Sequence, residues 1–314
     1  MTTKVDLSRI REAAELIQGQ VQRTPVITSR SLDQLSGHQI FLKSEHLQRG
    51  GAFKIRGASH FVARLPEPRP EHIVTHSSGN HAQAVSLAAA SIGAQAHIVM
   101  PETASAVKRR AVEGYGGRIV LCQPNERSRR EVCEQVLAET AGLFMPPYDH
   151  ADIVAGQGTA ALELIDEVGE LDAVIAPVGG GGLLSGTAIA TRGLLSQCQV
   201  LGAEPLAADD AARSLACGER LPQDAPNTIA DGLLTGLGKI NFEILLREKV
   251  RILTVTEEQI ISAMRVVWER TKQLIEPSAA VAVAVVLERL LPDEMNRVGI
   301  ILSGGNLDLD HLPF

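Results

Sequence analysis

The sequence predicts an α/β fold, because short β-branched runs alternate with longer helical patterns along its 314 residues. The strand-like runs are almost continuously hydrophobic, which is typical of parallel strands that are buried on both faces. Several of these runs lead directly into glycine- or serine-rich segments, most of which come just before a predicted helix. These features together predict parallel-rich sheets that are covered by helices on both faces.

The elements follow from this alternation in chain order. The predicted strands are Gln39–Lys43, Ile73–Thr75, Ala96–Val99, Ile119–Leu121, Ala173–Val178, Val200–Ala203, Ile252–Val255 and Gly299–Leu302. The predicted helices include Ala82–Ile92, Ser105–Tyr115, Arg127–Thr140, Thr159–Val168, Glu257–Lys272 and Ala279–Leu291. A proline-rich stretch at residues 65–70 marks a crossing between domains. We expect a small domain at residues 68–147, inserted into a large domain made of residues 1–67 and 148–314.

Composition excludes several classes of function. The formal net charge is −7 and aromatic residues make up 3% of the chain, so nothing indicates a nucleic-acid partner. The four cysteines are scattered without metal-ligand spacing, as expected for reduced thiols of a cytosolic protein. No signal-type apolar run opens the sequence, and the longest apolar stretch, Ala279–Leu287, is far too short to span a membrane. We therefore expect a cytoplasmic protein without a membrane partner.

Lys54 is the first candidate for chemistry. It stands between two apolar side chains in the glycine-flanked segment Gly50–Ala58. Apolar surroundings disfavour the ammonium form, and full burial can lower the pKa of a lysine by up to about 3–5 units. A lysine that loses its proton near neutral pH can form a Schiff base with a carbonyl such as that of pyridoxal phosphate. Taken alone, the tripeptide Phe53-Lys54-Ile55 fits a solvated loop lysine better, with the phenylalanine packed into the core.

Four consecutive glycines, Gly179–Gly182, follow the apolar run Ala173–Val178 and precede a helical pattern. Glycines there allow several backbone N–H groups to point at one anion at the start of a helix. The spacing differs from a dinucleotide fingerprint, because Ser185 occupies the position of its last glycine, and no P-loop lysine follows. A single phosphate monoester fits better, and a tight packing turn is the alternative.

Two further loops carry small polar side chains. Residues 77–81, Ser-Ser-Gly-Asn-His, come before another helical pattern and suit a carboxylate or a phenolate oxygen. Ser303 ends the last predicted strand beside two glycines. Simple helix capping by Ser77 or Ser78 is the alternative for the first loop.

These motifs occur in an order that resembles one family over nearly the whole chain. The sequence resembles the fold-type II pyridoxal-phosphate enzymes, which are tryptophan synthase β-like, and specifically the serine/threonine dehydratases and serine racemase. The motifs are GAFKIRGA (51–58), THSSGNHAQA (75–84), PVGGGGLLSG (177–186) and LSGGNLDL (302–309), together with GYGG (114–117), IVAGQGT (153–159), TIADG (228–232) and LIEPSAA (274–280).

The resemblance implies a role for each motif residue. Lys54 would bond covalently to pyridoxal phosphate and later act as the base at Cα. The other cofactor-binding residues would be Phe53, Asn80, Gly179, Gly180, Gly181, Gly182, Leu183 and Ser303, with Asn80 at the phenolic oxygen and Ser303 at the pyridine nitrogen. Substrate-binding residues would be Ser77, Ser78, Asn80, His81, Tyr148 and Arg129. The small domain would carry the carboxylate loop and move, and the large domain would carry the phosphate loop.

The expected reaction follows from Ser303. A hydroxyl does not hold the pyridine nitrogen protonated as an aspartate would, so loss of a β-leaving group is favoured over prolonged carbanion chemistry. We expect dehydration and deamination of L-serine or L-threonine to a 2-oxo acid and ammonia. Ser78 matches the serine that protonates Cα from the opposite face in serine racemase, so serine racemisation is expected as well, although a carboxylate ligand or cap is the alternative for Ser78.

The segment Gly202–Asp210 resembles the divalent cation site of the family. Glu204, Asp210 and the carbonyl of Ala208 would be its ligands, and oxygen ligation suits Mg²⁺, Ca²⁺ or Mn²⁺. The alternative is a pair of acidic residues that favour a helix N-terminus.

The identity of the substrate stays open at this point. Tyr148 stands where serine racemase has an asparagine, Arg129 matches an arginine near the mouth of its active site, and Arg130 replaces a glutamate. Extra positive charge would suit threo-3-hydroxyaspartate, which ammonia loss converts to oxaloacetate, whereas the alternative for both arginines is that they are solvated surface residues. A remote alternative is a non-catalytic protein that binds pyridoxal phosphate or an amino acid. The family resemblance also implies a homodimer, and the chain's end at Phe314 leads us to expect no regulatory domain and no feedback by isoleucine.

Overall fold

The computed structural model describes residues 5–314, so the predictions for the first four residues lie outside it. Its strands form in the predicted places, with two short additional ones near residues 26 and 143. In chain order the strands are β1 (Val26–Thr28), β2 (Gln39–Lys43), β3 (His72–His76), β4 (Gln95–Pro101), β5 (Arg118–Cys122), β6 (Leu143–Phe144), β7 (Ala173–Pro177), β8 (Gln199–Pro205), β9 (Arg251–Val255) and β10 (Arg297–Ile301).

Helices alternate with these strands as the sequence predicts. In chain order they are α1 (Leu7–Leu16), α2 (Arg30–Ser36), α3 (Lys54–Ala63), α4 (Asn80–Ser91), α5 (Ala106–Gly114), α6 (Glu126–Thr140), α7 (Ala151–Val168), α8 (Gly182–Leu194), α9 (Asp210–Cys217), α10 (Lys239–Arg247), α11 (Glu257–Thr271) and α12 (Pro277–Leu287). None of the helices within residues 5–314 is both long and apolar enough to cross a membrane.

The larger sheet has six strands in the order β1-β2-β10-β7-β8-β9. β1 is antiparallel to β2, and all the other pairings are parallel. Alternate residues of β7 enter different hydrophobic clusters, since Ala173 and Ile175 pack in the cluster around α12, whereas Val174 packs with Leu164 of α7. Helices therefore cover both faces of this sheet, and the predicted α/β fold is confirmed.

The smaller sheet has four parallel strands in the order β5-β4-β3-β6. It is also covered on both faces, since Ile73 packs with Ala84 of α4 while Val74 packs with Val136 of α6. All of its strands lie between residues 72 and 144. The predicted division into domains stays a prediction, and this separation of the two sheets along the chain supports it.

The core of the larger sheet is built around α12. This helix is apolar on all sides, and every residue from Ala279 to Val286 is at most 1% exposed. The prediction that it continues to Leu291 is wrong, because Glu288 ends the helix and Arg289 takes a left-handed backbone conformation with φ of 53°.

Helix α7 starts at Ala151 rather than at the predicted Thr159. Gly156 and Gly158 lie in its first half, and each lowers helix propensity by about 1 kcal/mol relative to alanine, which is why the sequence favours a later start. Tertiary packing overrides this preference.

These glycines allow α3 and α8 to lie very close to α7. A Cβ at Gly156 would stand 2.6 Å from the Cα of Gly57 in α3, and one at Gly158 would stand 2.9 Å from the carbonyl oxygen of Gly186 in α8. Since α3 starts at Lys54 and α8 starts at Gly182, this close packing fixes the two segments that carry the lysine and the glycine loop.

The strand ends bring the remaining predicted loops to the same region. In parallel sheets, ligands collect where the carboxyl ends of strands meet helix starts. The carboxyl ends of β3, β7 and β10 lead into the loops that contain Ser77, Gly179 and Ser303 respectively.

Candidate active site

A cavity of about 610 Å³ lies where these loops converge. Every residue that the sequence predicts to bind cofactor or substrate lines this cavity: Phe53, Lys54, Ser77, Ser78, Asn80, His81, Arg129, Tyr148, Gly179, Gly180, Gly181, Gly182, Leu183 and Ser303. Arg130 does not line it, because its side chain is exposed and pairs with Glu126 at 3.0 Å. The residues come from both sheets, so the cavity lies between them.

Lys54 is held at the start of α3 by the loop that follows β10. The backbone N–H of Phe53 donates to the carbonyl oxygen of Ser303 at 3.0 Å, and Ala52 forms an isolated bridge with Gly304. The Nζ atom of Lys54 donates to the carbonyl oxygen of Pro147 at 3.1 Å. Burial lowers the pKa of Lys54 from 10.5 to about 8, and this shift is partly offset by the nearby carboxylate of Glu276. A substantial fraction of the amine is therefore neutral near pH 8.

The glycine loop connects β7 to α8 and leaves no room for side chains. A Cβ at Gly180 would lie 2.3 Å from the ring of Tyr148, and one at Gly179 would lie 2.9 Å from the Cα of Leu233. Gly181 has a φ of 89°, which L-residues rarely adopt. The carbonyl oxygen of Gly180 accepts hydrogen bonds from the Asn241 side chain at 2.7 Å and from the Gly238 N–H at 3.1 Å. Because Asn241 and Gly238 hold the Gly180 carbonyl oxygen, the backbone N–H groups of the loop and the start of α8 can point toward an anion.

The loop after β3 combines hydroxyls with a buried histidine. The Ser77 hydroxyl accepts from the Gly79 N–H at 3.3 Å, and Ser78 also lines the cavity. His81 Nε2 lies 3.3 Å from the carbonyl oxygen of Met145, which accepts only, so Nε2 carries the proton. Burial and the nearby Lys54 lower the pKa of His81 to about 3.

His81 is therefore neutral, with an unprotonated Nδ1 that cannot donate to a carboxylate. Its predicted role as a ligand of the substrate carboxylate stays a prediction, and this geometry favours a role in holding the loop instead.

A hydrogen-bonded group of three side chains occupies the side of the cavity near Ser303. Asn80 Nδ2 donates to both carboxylate oxygens of Glu276, at 2.8 and 3.0 Å, and Asn80 Oδ1 accepts from Asn306 Nδ2 at 2.9 Å. Burial raises the pKa of Glu276 from 4.5 to about 7. Ser303 is 2% exposed and lines the cavity beside this group.

Positive charge also lines the cavity. Arg129 of α6 lines it, and the Nε atom of its guanidinium is buried without a hydrogen-bond partner among residues 5–314. Lys108 of α5 forms a salt bridge with Asp231, and both of these side chains also line the cavity. No salt bridge joins Arg129 to a carboxylate within residues 5–314, so its charge can meet an anionic group in the cavity.

The predicted metal ligands lie apart from the cavity. Glu204 and Asp210 are fully buried, and the carboxylate of Glu204 accepts from the N–H groups of Ala211 and Ala212 at 3.1 and 2.8 Å. Asp210 Oδ2 accepts from the Leu237 N–H at 2.8 Å, whereas its Oδ1 has no partner among the described residues. Burial raises the pKa of Glu204 to about 8, with Asp210 adding to the shift.

Within residues 5–314 no cluster of three or more His, Cys, Asp or Glu side chains could hold a metal. The predicted site needs only two carboxylates and the backbone carbonyl of Ala208, and an unpartnered buried oxygen on Asp210 fits such a site.

A family model described as pyridoxal-phosphate dependent enzyme matches residues 17–304. The chain belongs to this family. The predicted resemblance to pyridoxal-phosphate enzymes of fold-type II is thereby confirmed, and with it the prediction of an enzyme rather than a non-catalytic binding protein.

Known members of the family match the chain over nearly its whole length. It is 42% identical over 313 residues to a serine racemase of Dictyostelium discoideum, and the aligned region covers 98% of this chain and 97% of that protein. It is 43% identical over 303 residues to a beta-hydroxyaspartate dehydratase of Paracoccus denitrificans, with 96% of each covered. The structure of maize serine racemase has a TM-score of 0.95 and 41% identity, and covers 98% of this chain and 95% of that one.

The residues present fit the cofactor of the family. The lysine has a lowered pKa, as attack on an aldehyde requires. The glycine loop excludes side chains at the start of α8, where a phosphate would bind, and the Ser303 hydroxyl is buried beside the cavity. The cavity of about 610 Å³ has the size of an ordinary small-molecule site.

Sequence reasoning assigned no role to several residues that the structure places in the cavity wall. These are Glu276, Asn306, Lys108, Asp231 and Ser278. A signal existed for four of them, since Glu276 and Ser278 belong to the LIEPSAA motif, Asp231 to TIADG, and Asn306 to LSGGNLDL. Lys108 lies on an ordinary amphipathic helix and carries no local signal.

Proposed function

We propose that this protein catalyses pyridoxal-phosphate-dependent β-elimination from hydroxy amino acids, converting L-serine or L-threonine to a 2-oxo acid and ammonia, with serine racemisation as a second activity. The single observation that carries the proposal is the Lys54 amine, whose pKa is lowered to about 8 inside a cavity that is also lined by the glycine loop and Ser303. The name of one relative, a beta-hydroxyaspartate dehydratase, supports elimination from a hydroxy amino acid, and that of the other, a serine racemase, supports racemisation.

In this proposal each cavity wall holds one part of the cofactor. Lys54 would bond to its aldehyde carbon with loss of water, and Phe53 would pack against its ring. The backbone N–H groups of residues 179–183 would hold the phosphate, Asn80 would contact the phenolic oxygen, and Ser303 would face the pyridine nitrogen. When bound, pyridoxal phosphate supplies a sink for the electrons that proton removal leaves at Cα.

The chain's own residues then carry the proton transfers. The Lys54 amine takes the proton from Cα, for which a pKa near the working pH is suited. Ser77 and Ser78 bind the substrate carboxylate from the loop after β3. For racemisation Ser78 returns a proton to Cα from the side away from Lys54, because inversion needs an acid and a base on opposite faces.

A second candidate function is ammonia loss from threo-3-hydroxyaspartate to give oxaloacetate. The specific observation in its favour is the Arg129 guanidinium, whose buried Nε lacks a partner at the cavity wall. A second carboxylate on the substrate would pair with the other nitrogens of this guanidinium at the cavity wall. The Tyr148 ring, which packs against Gly180, would narrow the cavity beside the glycine loop.

We also propose a divalent cation at Glu204, Asp210 and the Ala208 carbonyl, with Mg²⁺, Ca²⁺ or Mn²⁺ as candidates. Two buried carboxylates next to each other are costly without a cation. Asp209, which forms an ion pair with Arg213 at 2.7 Å, does not need one. The small domain of residues 68–147, the homodimer and the cytoplasmic location are predictions of the same standing.

The proposal is tested by product analysis of the purified holoenzyme. L-Serine, D-serine, L-threonine and the 3-hydroxyaspartate isomers are supplied separately, and ammonia, 2-oxo acid and substrate chirality are followed. We expect equimolar ammonia and 2-oxo acid from L-serine or L-threonine. Product from 3-hydroxyaspartate alone would replace the first proposal by the second, and no 2-oxo acid from any of them would exclude both.

The variant Arg129→Met separates the two substrate classes. A hydrogen bond to a charged group contributes about 1.5–3 kcal/mol, so losing it should lower kcat/KM for 3-hydroxyaspartate about 10- to 150-fold. The value for L-serine should change little. The matched control is Arg130→Met, because Arg130 is exposed, pairs with Glu126 and does not line the cavity.

A further inference from the structure

Glu276 is a buried carboxylate inside the cavity wall, and the proposed reaction does not use it. It is 3% exposed and directly precedes α12. The turn after β10 closes around it, since the Glu276 N–H donates to the Gly304 carbonyl at 3.0 Å and a Cβ at Gly304 would lie 2.6 Å from Oε1. No salt bridge joins Glu276 to a cation within residues 5–314, so amide donors alone satisfy it.

Those donors come from Asn80 and from the Asn306 backbone. Asn80 Nδ2 lies 2.8 and 3.0 Å from the two carboxylate oxygens, and the Asn306 N–H donates to Oε2 at 3.2 Å. The Asn306 side chain also donates to Asn80 Oδ1 at 2.9 Å and to the Gly50 carbonyl at 2.7 Å. Asn80 is therefore held at both ends of its amide.

This arrangement allows only one orientation of the Asn80 amide. An ionised carboxylate accepts only, so it requires the NH₂ end, whereas Asn306 Nδ2 donates and requires the oxygen end. A flipped amide would set acceptor against acceptor at Glu276 and donor against donor at Asn306. One amide hydrogen shared between the carboxylate oxygens leaves the second hydrogen of Nδ2 free for another acceptor.

We propose that Glu276 is a positioning residue, which fixes the orientation of the Asn80 amide so that the second Nδ2 hydrogen faces the cofactor. The inference rests on the proposed contact between Asn80 and the phenolic oxygen of pyridoxal phosphate. Glu276 itself touches neither the substrate nor the reacting atoms in this proposal. It acts through Asn80.

Proton uptake by Glu276 would weaken its hold on the Asn80 amide, because a protonated carboxyl group loses part of its capacity to accept hydrogen bonds from Asn80. Burial raises its pKa to about 7, and Asp231 raises it further, while the hydrogen bonds from Asn80 and Asn306 and the charge of Lys108 lower it. Lys54 also faces Glu276. The Glu276 carboxylate offsets part of the lowering that burial causes in the pKa of Lys54. The visible absorbance band of the bound cofactor should therefore change with pH near 7.

The test compares Glu276→Gln with Glu288→Gln, an exposed glutamate at the other end of α12 that is remote from the cavity wall. We expect Glu276→Gln to weaken cofactor affinity about tenfold, because a charged acceptor becomes a neutral one. It should also remove the absorbance change near pH 7. Glu288→Gln should keep the wild-type affinity and the wild-type pH titration of the absorbance band.

Two further outcomes keep the inference apart from the proposed function. If Asn80→Ala leaves cofactor affinity and absorbance unchanged, the proposed contact of Asn80 fails. If Asn80→Ala weakens binding but Glu276→Gln does not, the inference alone is overturned. Should Glu276→Gln fail to fold, the wild-type absorbance titration decides, since the absence of any change between pH 6 and 8 would contradict a titrating Glu276.

Discussion

Replacing Gly180 by alanine tests the geometry of the glycine loop most sharply. The added Cβ would lie 2.3 Å from Cγ and Cδ1 of the Tyr148 ring and 2.5 Å from Cδ2. Carbon atoms in ordinary contact are about 3.5–4.0 Å apart, so the ring has to move by about 1 Å or more. These atoms lie in the part of the ring nearest the backbone, so rotating the end of the side chain cannot relieve the clash.

The expected cost follows from two opposing effects. Overpacking of this kind costs about 1–3 kcal/mol. Replacing glycine by alanine restricts the unfolded chain and returns about 0.4–1 kcal/mol. We therefore expect Gly180→Ala to lower the free energy of unfolding by up to about 2.6 kcal/mol, measured by urea denaturation of the cofactor-free protein. Cofactor affinity should fall as well, because the loop that binds phosphate shifts.

The control is Gly114→Ala at the end of α5, where no atom lies within 4 Å of the added Cβ and φ is not positive. It should be neutral or stabilise by up to about 1 kcal/mol. Tyr148→Ala combined with Gly180→Ala should recover about 1–3 kcal/mol relative to additive effects, because the smaller side chain removes the clash. Strict additivity, or equal effects of Gly180→Ala and Gly114→Ala, would refute the reasoning.

Three further outcomes are expected. Because the pKa of Lys54 is lowered from 10.5 to about 8, the rate at which the cofactor-free enzyme bonds pyridoxal phosphate should rise with pH, pass half of its maximum near pH 8 and level off above that, as stopped-flow absorbance can show. Arg56→Met leaves the fully buried Glu45 without its ion-pair partner at 2.7 Å and should cost about 3–5 kcal/mol of unfolding free energy in urea denaturation. After EDTA treatment, a divalent cation at 100 times its dissociation constant should add about 2.7 kcal/mol of unfolding free energy to the wild type but not to Asp210→Ala.

Controls for these predictions come from the chain itself. Arg130→Met breaks only the exposed pair with Glu126 and should change stability by less than about 1 kcal/mol. Asp209→Ala should keep the cation response, because Asp209 pairs with Arg213. A half-maximal rate of cofactor bonding near pH 10.5, an Arg56→Met cost no larger than that of Arg130→Met, or an EDTA-insensitive wild type would contradict the respective prediction.

The sequence predicted the strands well because each is a short apolar run of characteristic composition. Its error at α7 has a physical cause, since Gly156 and Gly158 disfavour a helix locally and are required by the close approach of α3 and α8. No local pattern reports the distance between two helices that are far apart in the chain. The excess length assigned to α12 has a different origin, because its end depends on a single left-handed residue, Arg289.

The candidate site shows the same division between local and long-range information. Lys54, the glycine loop and Ser303 lie in motifs whose residue types point to their chemistry, and the structure brings them to one cavity. Glu276 lay in a recognised motif without a role, because its importance comes from contacts with Asn80 and Asn306. The neutral state of His81 was equally hidden, since it depends on complete burial and on the Met145 carbonyl.

The central claim is that Lys54 in this cavity carries pyridoxal phosphate. It is tested most directly by borohydride reduction of the purified holoenzyme, followed by proteolysis and peptide mass spectrometry. We predict a phosphopyridoxyl group on Lys54, in the peptide that contains Phe53 and Ile55. A phosphopyridoxyl group on any other lysine, or none on Lys54 in protein that retains the cofactor absorbance, would contradict the claim.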